Sequence, residues 1–232
     1  MNWGNTIISA RWNYIFNNRL FSNTTVSYNN YLFDINAYTS NQYALGNDET
    51  FTNRYSSDYR SGINDWNYQI DFDYNPSPVH HVKFGAGYIY HRFRPEVMTS
   101  KISDRTDDQT YRDTTYHNMN NSRIYAHEVS AYAEDNLKIS SRLRLNLGLH
   151  FSLFHVQKQS YFSLQPRISA RYQLTDDITL KASYTKMSQY VHLLSSMPIA
   201  MPTDLWVPVT KEIKPMQSHQ YSLGGYYTGI KG

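Results

Sequence analysis

Residues 143–153 read L-R-L-N-L-G-L-H-F-S-L. Side chains of an extended strand point alternately to opposite faces. Leu143, Leu145, Leu147, Leu149, Phe151 and Leu153 therefore share one face, and Arg144, Asn146, Gly148, His150 and Ser152 the other. Ten steps of about 3.3 Å, tilted by about 45°, climb roughly 23 Å, close to the roughly 25 Å apolar band of a membrane β-barrel. The stretch reads as a barrel wall strand whose six apolar side chains face lipid.

The same alternation recurs on both sides of it. Residues 5–16 place Ile8, Ala10, Trp12, Tyr14 and Phe16 opposite Ser9, Arg11 and Asn13, and residues 20–33 follow with Thr24, Val26, Tyr28 and Leu32 outward. Trp66, Tyr68, Ile70, Phe72 and Tyr74 alternate with Asp65, Asn67, Gln69, Asp71 and Asp73, an order no helix produces. Val82, Phe84, Ala86, Tyr88 and Tyr90 form the next outward row. The strand at about 123–139 receives no face assignment. Beyond the leucine strand, Leu164, Ile168, Ala170, Tyr172 and Leu174, then Ile178, Leu180, Ala182 and Tyr184, point outward. A ninth strand is expected at about 217–228.

The inward row carries Arg11, Asp71, Asp73, Lys83, Arg144, Arg167 and Lys181. Short links are predicted near Asn18, Pro76, Ser141 and Asp176. Long polar loops are predicted at about 34–64, 94–122, 155–163 and 188–215. An up-and-down barrel has short turns at its periplasmic end and long loops outside. The fold class expected is therefore an all-β, antiparallel, up-and-down transmembrane β-barrel, in one partial domain over residues 1–232. Nine strands is an odd count where bacterial single-chain barrels use even ones. Together with the closing T-G-I-K-G and the lack of an export signal after Met1, it points to a wall portion without a plug domain. A complete eight-stranded barrel is the alternative.

Composition agrees with this reading. No run approaches the ~18 to 20 apolar residues of a membrane-spanning helix. Of the 232 residues 22 are tyrosine, a side chain with an apolar ring and a wet hydroxyl that collects at membrane interfaces. The net charge of +3 gives no argument for nucleic acid as a partner. Zero cysteines exclude disulfides and thiolate metal sites.

The segment His127 to His150, H-E-V-S-A-Y-A-E-D-N-L-K-I-S-S-R-L-R-L-N-L-G-L-H, resembles the C-terminal barrel of TonB-dependent outer-membrane receptors. It has an acidic, aromatic strand, a short turn, and a leucine strand in which His150 stands where that family usually has arginine. L-Q-P-R-I-S-A-R-Y from Leu164, T-L-K-A-S-Y-T-K from Thr179, D-L-W-V-P from Asp204 and K-P-M-Q-S-H-Q-Y-S-L-G-G-Y from Lys214 are similar to the same region, in the style of Bacteroidetes receptors. The resemblance covers about the last 105 residues of the chain. It implies a bacterial outer-membrane location and a barrel of about 22 strands around a plug. It further implies capture of a scarce small nutrient (siderophore, glycan or vitamin) and import energised through TonB, contacted by a part outside this chain. It implies outer-membrane lipid as a neighbour, no cofactor and no enzymatic activity.

Candidate site residues follow from chemistry. Trp206, Tyr190 and His192, with Met197, sit in the loop before the ninth strand and are candidates for an external ligand surface, since aromatic rings stack on flat ligands and sugars. The plainer role for Trp206 and Pro208 is to anchor that loop on the barrel rim. Trp12, Tyr14, Trp66, Tyr74, Tyr88 and Tyr90 are expected in the interfacial girdles. No metal site is expected: His80 and His81 sit at a turn, and His127 lacks the second histidine of H-E-x-x-H. Two competing functions remain. A soluble β-sandwich for carbohydrate binding or adhesion would need no detergent, and a small barrel enzyme would depend on Asp107 or Asp108.

Overall fold

The structure is a computed structural model that describes residues 2–46, 49–106, 109–117, 123–194 and 205–229. In chain order its strands are β1 Asn2–Asn17, β2 Leu20–Gly46, β3 Glu49–Tyr74, β4 His80–Arg105, β5 Thr110–His117 and β6 Ile124–Lys138. They continue with β7 Leu143–Val156, β8 Gln159–Gln173, β9 Ile178–Gln189, β10 Val191–Leu194, β11 Leu205–Pro208 and β12 Met216–Tyr227. The main sheet runs β1-β2-β3-β4-β6-β7-β8-β9-β12, with β5 a branch on β4 and β10-β11 a separate ribbon. Every pairing is antiparallel. This is an up-and-down wall of about nine strands, not closed on itself.

The short links lie where the sequence places them. Asn17 Oδ1 accepts from the backbone N–H groups of Arg19 and Leu20, Ser140 Oγ from Arg142 and Leu143, and Thr175 Oγ1 from Asp177 and Ile178. Side chains that bond the backbone two or three residues on favour turns over ladders.

The long loops are different from expectation. Residues 34–64 are mostly continuous strand, since β2 and β3 stay in register from Leu20–Tyr74 to Ala44–Thr50, with a one-residue shift before Gly46–Glu49. Residues 94–122 likewise hold the upper part of β4 and its partner β5. Nor is 155–163 a loop. β7 and β8 pair through Val156–Gln159, and the two residues between them, Gln157 and Lys158, have positive φ values of 46° and 66°, as a tight primed hairpin turn requires. Polar composition concealed these extensions because neither face of a strand projecting beyond the membrane needs to be apolar. The 188–215 region contains the β10-β11 ribbon.

Stagger tilts the strands. The pairing row that starts at Leu20–Tyr74, beside a short turn, passes through Val82, Asp135, Leu147 and Ile168 and ends at Tyr184–Tyr221, well up their strands. Such an offset is the shear a curved wall needs. One ladder stops early: β8 pairs with β9 only as far as Arg167–Thr185, although β9 pairs with β12 up to Gln189–Met216. Leu174 N–H bonds toward β9, so even-numbered positions of β8 face that strand. Pro166 is one of these and has no N–H to give.

The two faces follow the predicted alternation. Leu147, Leu149 and Phe151 are 43%, 47% and 40% exposed on the outer face, with no second layer over them. β6, unassigned from sequence, has Leu137, Ala133, Ala131, Val129, His127 and Tyr125 outward by register with β4, and Tyr132, Glu134 and Glu128 inward. The buried apolar cluster is on the inner face instead, toward the long-hairpin end. It comprises Ile63, Phe93, Ala126, Phe154, Val156, Tyr190 and Val209.

Candidate ligand-facing interior

The inner face of β3, β4 and β6 is a connected polar surface. Tyr132 donates to Asp71 Oδ1 at 2.7 Å, and Gln69 Nε2 donates to both oxygens of the same carboxylate at 3.1 and 3.0 Å. Gly85 lies between them in the register: a Cβ there would stand 2.6 Å from the Ile70 carbonyl and 2.8 Å from Asp71 Oδ1. The missing side chain is what lets the tyrosine reach the aspartate. His81 Nε2 meets Asp73 at 2.9 Å. Higher up, His91 is 5% exposed, with Nδ1 2.8 Å from Asp65 and Nε2 3.4 Å from Glu128. Both nitrogens of a buried imidazole are thereby satisfied.

Charge changes sign along the sheet. On β7, β8 and β9 the inward residues include Arg144, Arg171 and Lys181, adjacent across the strands, with Arg167 four residues away on β8. Among the described residues none of these four has a carboxylate partner. Lys181 Nζ lies 4.3 Å from the Tyr226 ring centroid, a cation–π contact. Arg144, Arg171, Lys181 and Tyr226 line a hollow of about 680 Å³ near the short-turn end. Such a surface attracts anions.

Toward the long-hairpin end the interior is roofed. Tyr190 stacks on Phe154 with ring centroids 5.1 Å apart and planes 7° from parallel. Its hydroxyl is 2.7 Å from Ser152 Oγ, which in turn accepts from Gln165 Nε2 at 2.9 Å. Tyr161 donates to the Thr210 carbonyl at 2.6 Å, and Val209 N–H to the Tyr190 carbonyl at 2.8 Å. Residues 190–194 and 205–210 are thus fastened onto the inner face, and Val209 is fully buried.

The candidate ligand residues separate on this geometry. Tyr190 (4% exposed) and His192 (8% exposed) are buried, which removes them from an external ligand surface in this arrangement, whereas Trp206 is half-buried on β11 opposite Leu193. Met197, Asp107 and Asp108 lie outside the described residues. Trp12, Tyr14, Trp66, Tyr74, Tyr88 and Tyr90 all point outward, and Tyr88 Oη lies 2.8 Å from His127 Nδ1. His80 and His81 each meet an aspartate, Asp135 and Asp73. Sequence reasoning missed the roofed cluster. Its signal was available: Phe93 and Phe154 are large apolar groups at inward positions of otherwise polar rows.

The family profile described as "TonB dependent receptor-like, beta-barrel" matches residues 1–232. The chain belongs to this family. It is an outer-membrane protein of a receptor family rather than an enzyme. No curated protein is significantly similar to it. Among solved structures it is similar to FpvAI, seen in complex with pyocin S2 (13% identity, TM-score 0.52, 98% of this chain and 30% of that one). It is also similar to BauA, the ferric preacinetobactin receptor of Acinetobacter baumannii (11% identity, TM-score 0.51, 95% and 34%). A third is FyuA, the ferric yersiniabactin uptake receptor of Yersinia pestis (12% identity, TM-score 0.47, 97% and 43%). The chain spans less than half the length of each of these receptors.

Proposed function

We propose that this chain is a run of adjacent wall strands in a TonB-dependent importer of a scarce small nutrient, with lipid on its outer face and the ligand path along its inner one. The observation that carries this is the two-sided ribbon: an uncovered apolar row outside and a hydrogen-bonded, charged row inside, on the same strands. The siderophore receptors among its structural neighbours favour an iron chelate as the nutrient. TonB is reached through a part of the receptor other than these strands.

Under this reading Trp12, Tyr14 and Tyr74 belong to the girdle near the short turns, and Trp66, Tyr88 and Tyr90 to the opposite one, because amphipathic rings prefer the interface. Leu143, Leu145, Leu147, Leu149, Phe151 and Leu153 contact acyl chains. Trp206 is the residue of the 190–210 segment that a ligand meets, and Tyr190 and His192 hold that segment in place. The test is a pair of substitutions at neighbouring positions. Leu147→Arg puts a charge at mid-bilayer and costs about 2–4 kcal/mol of folding free energy into lipid vesicles, while Asn146→Arg, facing water, costs much less. Equal losses would contradict the face assignment.

A further inference from the structure

Beyond the apolar rows, the outer face carries arginines that have no carboxylate partner among the described side chains. Along β2, β3, β4 and β6 the outward side chains change character at one level. Tyr28, Trp66, Tyr90 and His127 occupy one pairing row, with Tyr28 and Trp66 rings 4.8 Å apart and Tyr90 stacked 6.2 Å from Tyr125. The next outward positions are Asn30, Asn64 and Arg92, followed by Arg94 on β4 and Arg123 just before β6. The β4–β6 ladder ends at Phe93–Ile124, so one further step sets Arg94 against Arg123. Like charges directly opposite on a sheet face are unfavourable.

The described side chains around them do not neutralise them. Arg60 is paired, its Nη2 lying 2.7 Å from Asp34. Arg92 donates from Nε and Nη2 to the neutral Asn64 Oδ1, at 3.2 and 2.8 Å, and Asn64 is itself held by Tyr28 and Asn30. That fixes the guanidinium in place without answering its charge. Arg94 Nε is buried and without an acceptor among the described residues. Arg123 is exposed. Among the described side chains, which do not include Glu96, no carboxylate pairs with Arg92, Arg94 or Arg123.

We propose that Arg92, Arg94 and Arg123 form a binding site for the phosphate of a lipid headgroup, on the outer face of the wall at the long-hairpin side of the bilayer. The proposal rests on the reading of that face as lipid-facing. A guanidinium offers a planar fork of donors that matches phosphate oxygens, and a cluster of three held at headgroup height beside an aromatic row receives an anion whose acyl chains continue down the apolar face. A soluble anion would gain the charge contacts but not that apolar continuation.

The intact receptor carrying this chain, purified in a neutral detergent, is incubated with diphosphorylated lipid A, with its dephosphorylated form or with inorganic phosphate, and bound species are read by native mass spectrometry. The diphosphorylated form is retained and the dephosphorylated form is not. Arg92→Gln/Arg94→Gln/Arg123→Gln weakens retention roughly a hundredfold and the single Arg123→Gln about fivefold, from about one unit of headgroup attraction per arginine. Lys101→Gln, which removes a charge already paired with Asp113, leaves retention unchanged. Arg123 is exposed, so its single variant reports on binding even where the triple variant fails to fold. Undiminished retention in both variants, equal retention of the two lipid forms, or saturation by inorganic phosphate alone would overturn the site. If instead the lipid-facing reading is wrong, neither lipid form is retained and the receptor stays dispersed without detergent, an outcome distinct from loss of phosphate discrimination.

Discussion

Two stretches of the same strand meet opposite fates. Leu147, Leu149 and Phe151 on β7 are 40% to 47% exposed, and Phe154 and Val156, a few residues later, are fully buried. All five are large and apolar. What separates them is parity, since odd positions face outward and even positions inward, together with what lies over the inner face at that height. Near the short turns the inner side of β7 borders the basic hollow of Arg144, Arg171 and Lys181, whereas beyond Ser152 Tyr190 and Val209 pack over it. Hydrophobicity alone therefore says that a residue leaves water, without saying whether lipid or protein replaces it.

The largest expected effect breaks this comparison directly. Phe154→Ala opens a cavity under Tyr190 and costs about 3–5 kcal/mol in urea unfolding from lipid vesicles, while Phe151→Ala, on the outer face with no second layer over it, costs distinctly less. Equal costs for the two phenylalanines would erase the distinction between roofed and lipid-facing parts of the strand. The arginine pair at Leu147 and Asn146 ranks next and examines the outer row alone.

A smaller effect probes the fastening of the roof. Tyr190→Phe keeps the ring on Phe154 but removes the hydroxyl beside Ser152, at a cost of about 1 kcal/mol. Hydrogen exchange in β10 and β11 should quicken while that of Leu145 to Leu149 stays as it was, and a uniform change along β7 would count against a local fastening. The smallest effect comes from the turn that follows Val156. Gln157→Asn with Lys158→Gly relieves two side-chain-bearing residues of left-handed backbone and raises stability by about 1 kcal/mol, read as a higher urea midpoint with unchanged slope. A loss of stability there would mean that these side chains contribute contacts outweighing the strain.

Much of the wall was legible because a strand with one apolar and one polar face writes its geometry into the sequence. The row Trp66 to Tyr74 gives β3 its place and its faces, and the row Val82 to Tyr90 does so for β4. The reading weakened wherever the two environments became alike. Above Asp34, Asn64 and Arg94 both faces meet water or protein, so the long upper hairpins looked like loops. On β6 the outward row mixes Asp135 and His127 with small alanines, so contrast was too low to assign, and only its register with β4 fixed the faces. The candidate ligand residues Trp206, Tyr190 and His192 come from one stretch of sequence, but nothing in that stretch signals that Tyr190 and His192 are buried.

By itself the sequence determined the class of fold, the orientation of most strands and the two surfaces of the wall, because period-two alternation is a local property that each strand carries alone. Tertiary structure decided which apolar side chains form a packed interior, where the β8–β9 seam opens beside Pro166, and how Arg92, Arg94 and Arg123 come together. Those outcomes depend on register between strands distant in the chain and on the path of a covering segment, and neither is encoded in the alternation of a single strand.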